Sequence, residues 1–234
     1  MIAFRTDDRD VHPPHRFPDY RSTRLRAPLA PPIRWAQSPS ETTGPNFAQH
    51  PPATREADLT AQHAGAPLGE RITVSGQLRD EDGRPLAGQL VEIWQANAAG
   101  RYAHPVDQHA APLDPNFSGA GRCLTDAEGR YRFVTIKPGA YPWQNHANAW
   151  RPAHLHFSVF GPAFATRLVT QMYFPGDPLL ELDPIFHSVP EFARERLVAA
   201  FELASTTPDW ALGYRFDIVL RGHSSTPFED PHHG

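Results

Sequence analysis

The chain has 234 residues, a formal net charge of −4, 26 prolines and one cysteine, Cys123. A single cysteine excludes an intrachain disulfide and a cysteine-built metal site, and a pI near 6.3 without blocks of like charge argues against nucleic acid or an anionic membrane as partner. No run approaches the ~20 apolar residues of a membrane span. The start, MIAFRTDDRD, turns charged before any signal-like apolar core, so a cytoplasmic, reducing setting is expected, with Cys123 a small buried apolar residue.

Residues 1–65 carry prolines at close intervals (Pro13-Pro14, Pro28, Pro31-Pro32, Pro51-Pro52) and no sustained periodicity. Phe17, Tyr20, Leu25, Leu29, Ile33 and Trp35 supply apolar surface, which predicts an extended arm lying on its own domain or on a neighbouring subunit. A short helical turn is expected within residues 57–66. From residue 66 the pattern becomes strands and turns. Residues 71–75 alternate as a strand, and Asp80-Glu-Asp-Gly83 reads as a hairpin turn with glycine for positive φ. Residues 90–94 form the next strand. The turn Asp126-Ala-Glu-Gly129 leads into residues 131–136, followed by strands at 153–160, 167–174 and 214–220. Short strands separated by turns predict an all-β fold, an antiparallel β-sandwich with long irregular loops. One helix signal interrupts it: Ser188 and Glu191 have capping-box spacing, with Pro190 in the first turn. Residues 192–203 then read as a short helix ended by Thr206-Thr-Pro208.

The chemistry gathers in residues 139–158, GAYPWQNHANAWRPAHLHFS. Side chains alternate along a strand, so His154 and His156 share a face while Leu155, Phe157 and Val159 turn the other way into a core. The pair is either ordinary hydrogen-bonded polar surface or part of a metal site. No histidine here has Asp or Glu two residues on, so the other candidate donors are phenols. Tyr141 stands in the same stretch, and Tyr102 follows the 90–94 strand through the turn at residues 97–100. Phenols ionise near pH 10 and bind only a strongly acidic metal. Two His with two Tyr would suit Fe(III); on spacing alone, two partly buried tyrosines with hydrogen-bonded hydroxyls explain the pattern equally well.

The motifs VEIWQANAAGRYAHP, GRCLTDAEGRYRF, IKPGAYPWQNHANAWRPAHLHFS and TQMYFPGDPL resemble those of the intradiol ring-cleaving dioxygenases. The amino-terminal FPDYRSTRLRAP resembles the arm of that family's β-chain branch. The resemblance implies a non-haem Fe(III), one per chain, held by Tyr102, Tyr141, His154 and His156, with Tyr141 the ligand that substrate displaces. It implies Arg151 as the active-site cation, Tyr20 and Gln171 as polar groups near substrate, and Trp94 and Ile185 as an apolar wall. The implied reaction opens a catechol with O2 between its two hydroxyl-bearing carbons. For the β-chain branch the substrate is 3,4-dihydroxybenzoate and the product 3-carboxy-cis,cis-muconate, within aromatic catabolism and beside a homologous α chain. Gln144, Leu155 and His187 depart from the family's usual residues, and Gln144 and His187 bear on substrate preference. Catechol and hydroxyquinol remain alternative substrates, although residues 1–65 are too proline-rich for the helical dimerisation region of those relatives. A non-catalytic reading rests on VSGQLRDEDGRPLAGQLVEIW, a strand-turn-strand unit seen also in transthyretin-like binding modules.

Overall fold

The computed structural model describes residues 9–31, 33, 47–49, 51–143, 150–162 and 167–229; Trp35 and Gln144 lie outside the described residues. In chain order the strands are β1 (Arg71–Arg79), β2 (Leu90–Trp94), β3 (Ala120–Leu124), β4 (Arg130–Ile136), β5 (Tyr141–Pro142), β6 (Trp150–Arg151), β7 (His154–Phe160), β8 (Arg167–Tyr173), β9 (Ala200–Phe201), β10 (Leu212–Arg215) and β11 (Ile218–Val219). Among the described residues three short α-helices accompany them, α1 (Thr23–Arg26), α2 (Pro184–Ser188) and α3 (Glu191–Arg194). Among the described residues no helix is long and apolar enough to cross a membrane.

Two sheets carry the fold. In the first, β1 pairs antiparallel with β4, while β10 and β11 run parallel to β1. In the second the order is β3-β2-β7-β8, with every pairing antiparallel. The predicted alternation of β7 holds: Leu155, Phe157 and Val159 are fully buried and join Ile72, Val74 and Phe133 of the first sheet in one core. Each such side chain contributes roughly 1.5–3 kcal/mol by leaving water. Gln95, at the end of β2, ties the sheets together: its amide donates to the Ile136 carbonyl at 2.7 Å and its oxygen accepts from Thr135 at 2.7 Å.

The predicted turns form with positive φ at Gly83 and Gly129. Other boundaries moved, each for a local reason. The strand expected over 214–220 is split into β10 and β11 because the Asp217 carboxylate, not a main-chain carbonyl, accepts from the Gln77 amide. The Phe216 carbonyl sits against Gly76, where a Cβ would lie only 1.8 Å from it, so side-chain-free backbone is required there. The expected helix at 192–203 is also cut short. The Ser188 hydroxyl donates to the Ile185 carbonyl, closing α2 rather than opening the next helix. After α3 a 3-10 turn ends at Leu197, and the Ala199 amide then bonds the Tyr173 carbonyl at 2.9 Å. Burial of Leu197 and attachment to β8 outweigh local helix propensity.

The amino-terminal segment packs partly on its own domain. Val11 is fully buried with Tyr173, Phe186 and Val189, and Leu59 belongs to the main core. The helical turn anticipated at 57–66 lies earlier, at Thr54–Ala57. The Leu59 amide instead bonds the Val134 carbonyl, which holds this segment extended on β4. Farther along the arm, Leu25 (86% exposed) and Ile33 (80%) face solvent.

Candidate metal centre and substrate pocket

Strand register assembles the site. On β2 Trp94 lies opposite His156 of β7, and on β8 Gln171 and Tyr173 lie opposite His156 and His154. The small β5–β6 ladder sets Tyr141 directly across from Arg151. Trp94 therefore stacks flat on His156, with ring centroids 4.8 Å apart and planes within 3°.

Tyr102 arrives by a loop docking backbone to backbone. Asn97 closes the turn, its side-chain oxygen accepting from the amides of Ala99 and Arg101 at 2.9 Å each. Gly100 has φ +76°, and a Cβ there would lie 2.1 Å from the Ala140 carbonyl oxygen. Across the contact, a Cβ on Gly139 would lie 2.4 Å from the Ala98 carbonyl oxygen. Two glycines thus let the loops touch, and the Tyr102 and Tyr141 rings meet edge-on at 5.4 Å. The Asp107 carboxylate anchors the Tyr102 amide at 2.7 Å.

Four donor atoms converge. The Tyr102 hydroxyl is 3.1 Å from His156 Nε2, and the Tyr141 hydroxyl is 3.4 Å from His154 Nε2. The imidazole centroids are 4.9 Å apart. The other ring nitrogens are engaged behind: His154 Nδ1 with the Pro152 carbonyl at 2.7 Å, His156 Nδ1 with Glu229 Oε2 at 2.9 Å. Both carry their proton on Nδ1, which leaves the Nε2 lone pairs facing the phenols. Burial, with Arg151 and His156 adding to it, holds His154 well below the ordinary histidine value, so it stays neutral. Burial, then Tyr141, pushes Tyr102 well above the usual phenol value. That phenol ionises only beside a strongly charged cation. Two imidazoles and two phenols fit ferric iron. Among the described residues no group of three or more His, Cys, Asp or Glu offers a competing site.

Arg151 is 2% exposed and heavily bonded. Its Nη2 donates to Asp183 Oδ2 at 2.8 Å, to Gln171 Oε1 at 2.6 Å and to the Tyr173 hydroxyl at 3.1 Å. Its Nη1 lies 3.4 Å from His154 Nε2. Burial lowers the pKa of this guanidinium, but Asp183 and the neighbouring phenols raise it by more, so it remains a cation. Trp143 bridges outward, its ring 5.4 Å from the Arg151 guanidinium carbon and 5.3 Å from the Tyr20 ring. In front lies a cavity of about 670 Å³ lined by Trp94, Tyr102, His104, Tyr141, Trp143 and His156.

Of the residues singled out from sequence, Tyr102, Tyr141, His154, His156, Arg151, Trp94 and Gln171 come together here. Tyr20 joins through Trp143. Ile185 is buried in α2 with its amide 3.3 Å from Asp183 Oδ1, behind the cavity rather than in its lining. His187 donates from Nε2 to the Glu181 carbonyl at 2.9 Å. Sequence reasoning missed Trp143, Tyr173, Asp107, Asp183 and Glu229. Only Asp183 had a local signal: Asp before a proline marks a helix start, and its side chain does cap α2. Glu229 lies 73 positions from His156 and had none.

Residues 42–222 match a family model described as Dioxygenase, and residues 4–38 match one described as protocatechuate 3,4-dioxygenase beta subunit N terminal. The chain belongs to the intradiol dioxygenase family and is an oxidoreductase of that class. It is 60% identical over 220 residues to the protocatechuate 3,4-dioxygenase beta chain of Burkholderia cepacia, a match covering 93% of this chain and 94% of that one. The alpha chain from the same organism is 31% identical, with 83% and 97% covered. Among solved structures, the dioxygenase domain of a carbohydrate-binding fusion protein from Streptomyces sp. SirexAA-E superposes with a TM-score of 0.52 at 28% identity, covering 78% of this chain and 97% of that one.

Proposed function

We propose that this chain cleaves protocatechuate, 3,4-dihydroxybenzoate, with O2 to 3-carboxy-cis,cis-muconate, as the iron-bearing partner of a homologous α chain in the cytoplasm. The observation that carries the reading is the convergence of two imidazole Nε2 atoms on two phenol oxygens beside the buried Arg151 cation. Its near full-length likeness to a β chain supplies the substrate class, and its likeness to an α chain supports the partner. Residues 66–234 would form the catalytic domain and residues 1–65 the arm. The exposed Leu25 and Ile33 suit an arm that also packs on a second subunit.

Tyr102, Tyr141, His154 and His156 would hold one ferric ion, which when bound supplies the Lewis acidity that ionises phenols and primes a catecholate for O2. The chain's own groups do the rest. Tyr102 is the anchored phenol, held through its amide by Asp107 and paired with His156. Tyr141, on the small β5–β6 ladder, would be the phenol that gives way to substrate, its oxygen placed to take one of the substrate's hydroxyl protons. Arg151 cannot release a proton at working pH, so it acts as a fixed positive charge that stabilises the electron-rich ring. Trp94 would give apolar surface, and Tyr20 and Gln171 polar contacts, near the bound ring, with Ile185 packed behind them.

Oxygen uptake by the co-expressed α and β chains, compared across protocatechuate, catechol and hydroxyquinol, tests the substrate. The expected order has protocatechuate first by a wide margin, and a preference for catechol or hydroxyquinol defeats it. Anaerobic addition of the same catechols should shift the visible phenolate-to-iron band of the protein. A colourless protein holding stoichiometric ferric iron defeats the ligand set.

A further inference from the structure

The two imidazoles are held in different ways. His154 donates from Nδ1 to the Pro152 carbonyl, a neutral acceptor two residues earlier in the link between β6 and β7. His156 donates to the Glu229 carboxylate, which the chain brings back from its far end. A carboxylate behind an imidazole fixes the tautomer and ring plane and makes the opposite nitrogen a stronger electron donor than a carbonyl does.

Glu229 is not a passing contact. Its amide donates to the Val169 carbonyl of β8 at 2.8 Å, and the Thr170 hydroxyl donates to the Pro227 carbonyl at 2.6 Å. Thr226 is locked to β11, its amide on the Val219 carbonyl at 2.9 Å. Phe228 packs edge-on against His12 at 4.7 Å, and its amide lies 3.3 Å from His12 Nδ1. The final described residues are thus laid along the strand that carries Gln171, the register partner of His156. They are clamped from outside by the amino-terminal arm. On the opposite side Trp94 stacks on the His156 ring, so the imidazole is fixed by a flat aromatic on its face and a carboxylate at its edge.

We propose that Glu229 is the positioning residue for His156: its carboxylate, docked by the carboxyl-terminal segment and the arm, aims Nε2 at the metal and sets its donor strength. This rests on the proposed ligand set. The described residues of the arm and of the carboxyl-terminal segment would then jointly form one wall behind the metal centre, although none of them belongs to the proposed ligand set.

The experiment uses the full α/β complex with Glu229→Gln, Glu229→Ala, Phe228→Ala and His156→Ala, reading melting temperature, iron loss to a chelator, the visible band and steady-state kinetics. Glu229→Gln keeps the shape and an accepting oxygen but loses the charge. It should retain wild-type melting and iron, shift the visible band, and lower kcat with little change in KM. Glu229→Ala should lose iron or activity by about 10–100-fold, and Phe228→Ala, which loosens the segment without touching the carboxylate, should fall between. With wild type coloured and His156→Ala bleached, a Glu229→Gln protein with unchanged band and kcat overturns the Glu229 proposal alone. If His156→Ala keeps both iron and colour, the ligand set fails and this proposal falls with it.

Discussion

Arg151 illustrates what a single residue costs here. A guanidinium 2% exposed is tolerable only because Asp183, itself fully buried, meets it through both carboxylate oxygens, at 3.2 and 2.8 Å. Removing one partner of such a pair leaves an uncompensated buried charge, which typically costs about 3–5 kcal/mol. Asp183→Ala should therefore lower stability by about that amount in denaturant titration and reduce kcat, while iron content stays near wild type because the Asp183 carboxylate bonds Arg151, Tyr173 and the Ile185 amide and not the four donor side chains. Wild-type stability in that variant would mean that the hydrogen bonds to Gln171 and Tyr173 suffice to accommodate the Arg151 charge. Cys123 shows the opposite case. It is half-buried against the main core, less enclosed than expected from sequence, and that burial still pushes its thiol up to about 12, so it stays protonated at neutral pH and behaves as packing.

At the scale of elements, the centre depends on two loops that touch only because they lack side chains. Gly100 and Gly139 allow the backbone at residues 98–100 to meet that at 139–140, and this contact brings the Tyr102 phenol beside Tyr141. Gly100→Ala introduces a Cβ 2.1 Å from a carbonyl oxygen and strains a residue at φ +76°. The expected result is a fold destabilised by about 1–3 kcal/mol, with the visible band weakened more than circular dichroism is changed. Equal loss of both would assign the glycine a purely structural role. The same scale explains the shortened helix after α3, where attachment of Ala199 to β8 takes over from helical periodicity.

For the whole molecule, the arm divides into a part committed to its own domain and a part left outward. Val11 and Tyr20 are buried, whereas Leu25 and Ile33 are not. Apolar residues this exposed on a proline-rich arm suit a subunit contact. The double substitution Leu25→Glu with Ile33→Glu should weaken association with the α chain in analytical ultracentrifugation while leaving the β chain's own melting almost unchanged. Unaltered assembly would remove the arm's outer part from the interface. Because Val11 packs against Tyr173 and His12 against Phe228, disturbing the inner part of the arm should instead reach the site.

The sequence by itself determined the period-2 strands and their glycine turns, the shared face of His154 and His156 with its apolar reverse, and, through motif resemblance, the family. These are local properties: alternation, turn chemistry and residue type act over a few positions and survive any arrangement of the rest. Only the tertiary structure decided that β10 and β11 run parallel to β1, that Tyr102 meets Tyr141, that Asp183 neutralises Arg151 while Tyr173 bonds it, and that Glu229 backs His156. Those contacts join positions separated by tens of residues, and no periodicity encodes them. They form because burying the core draws the loops and the chain's end together, and buried polar groups must then find partners.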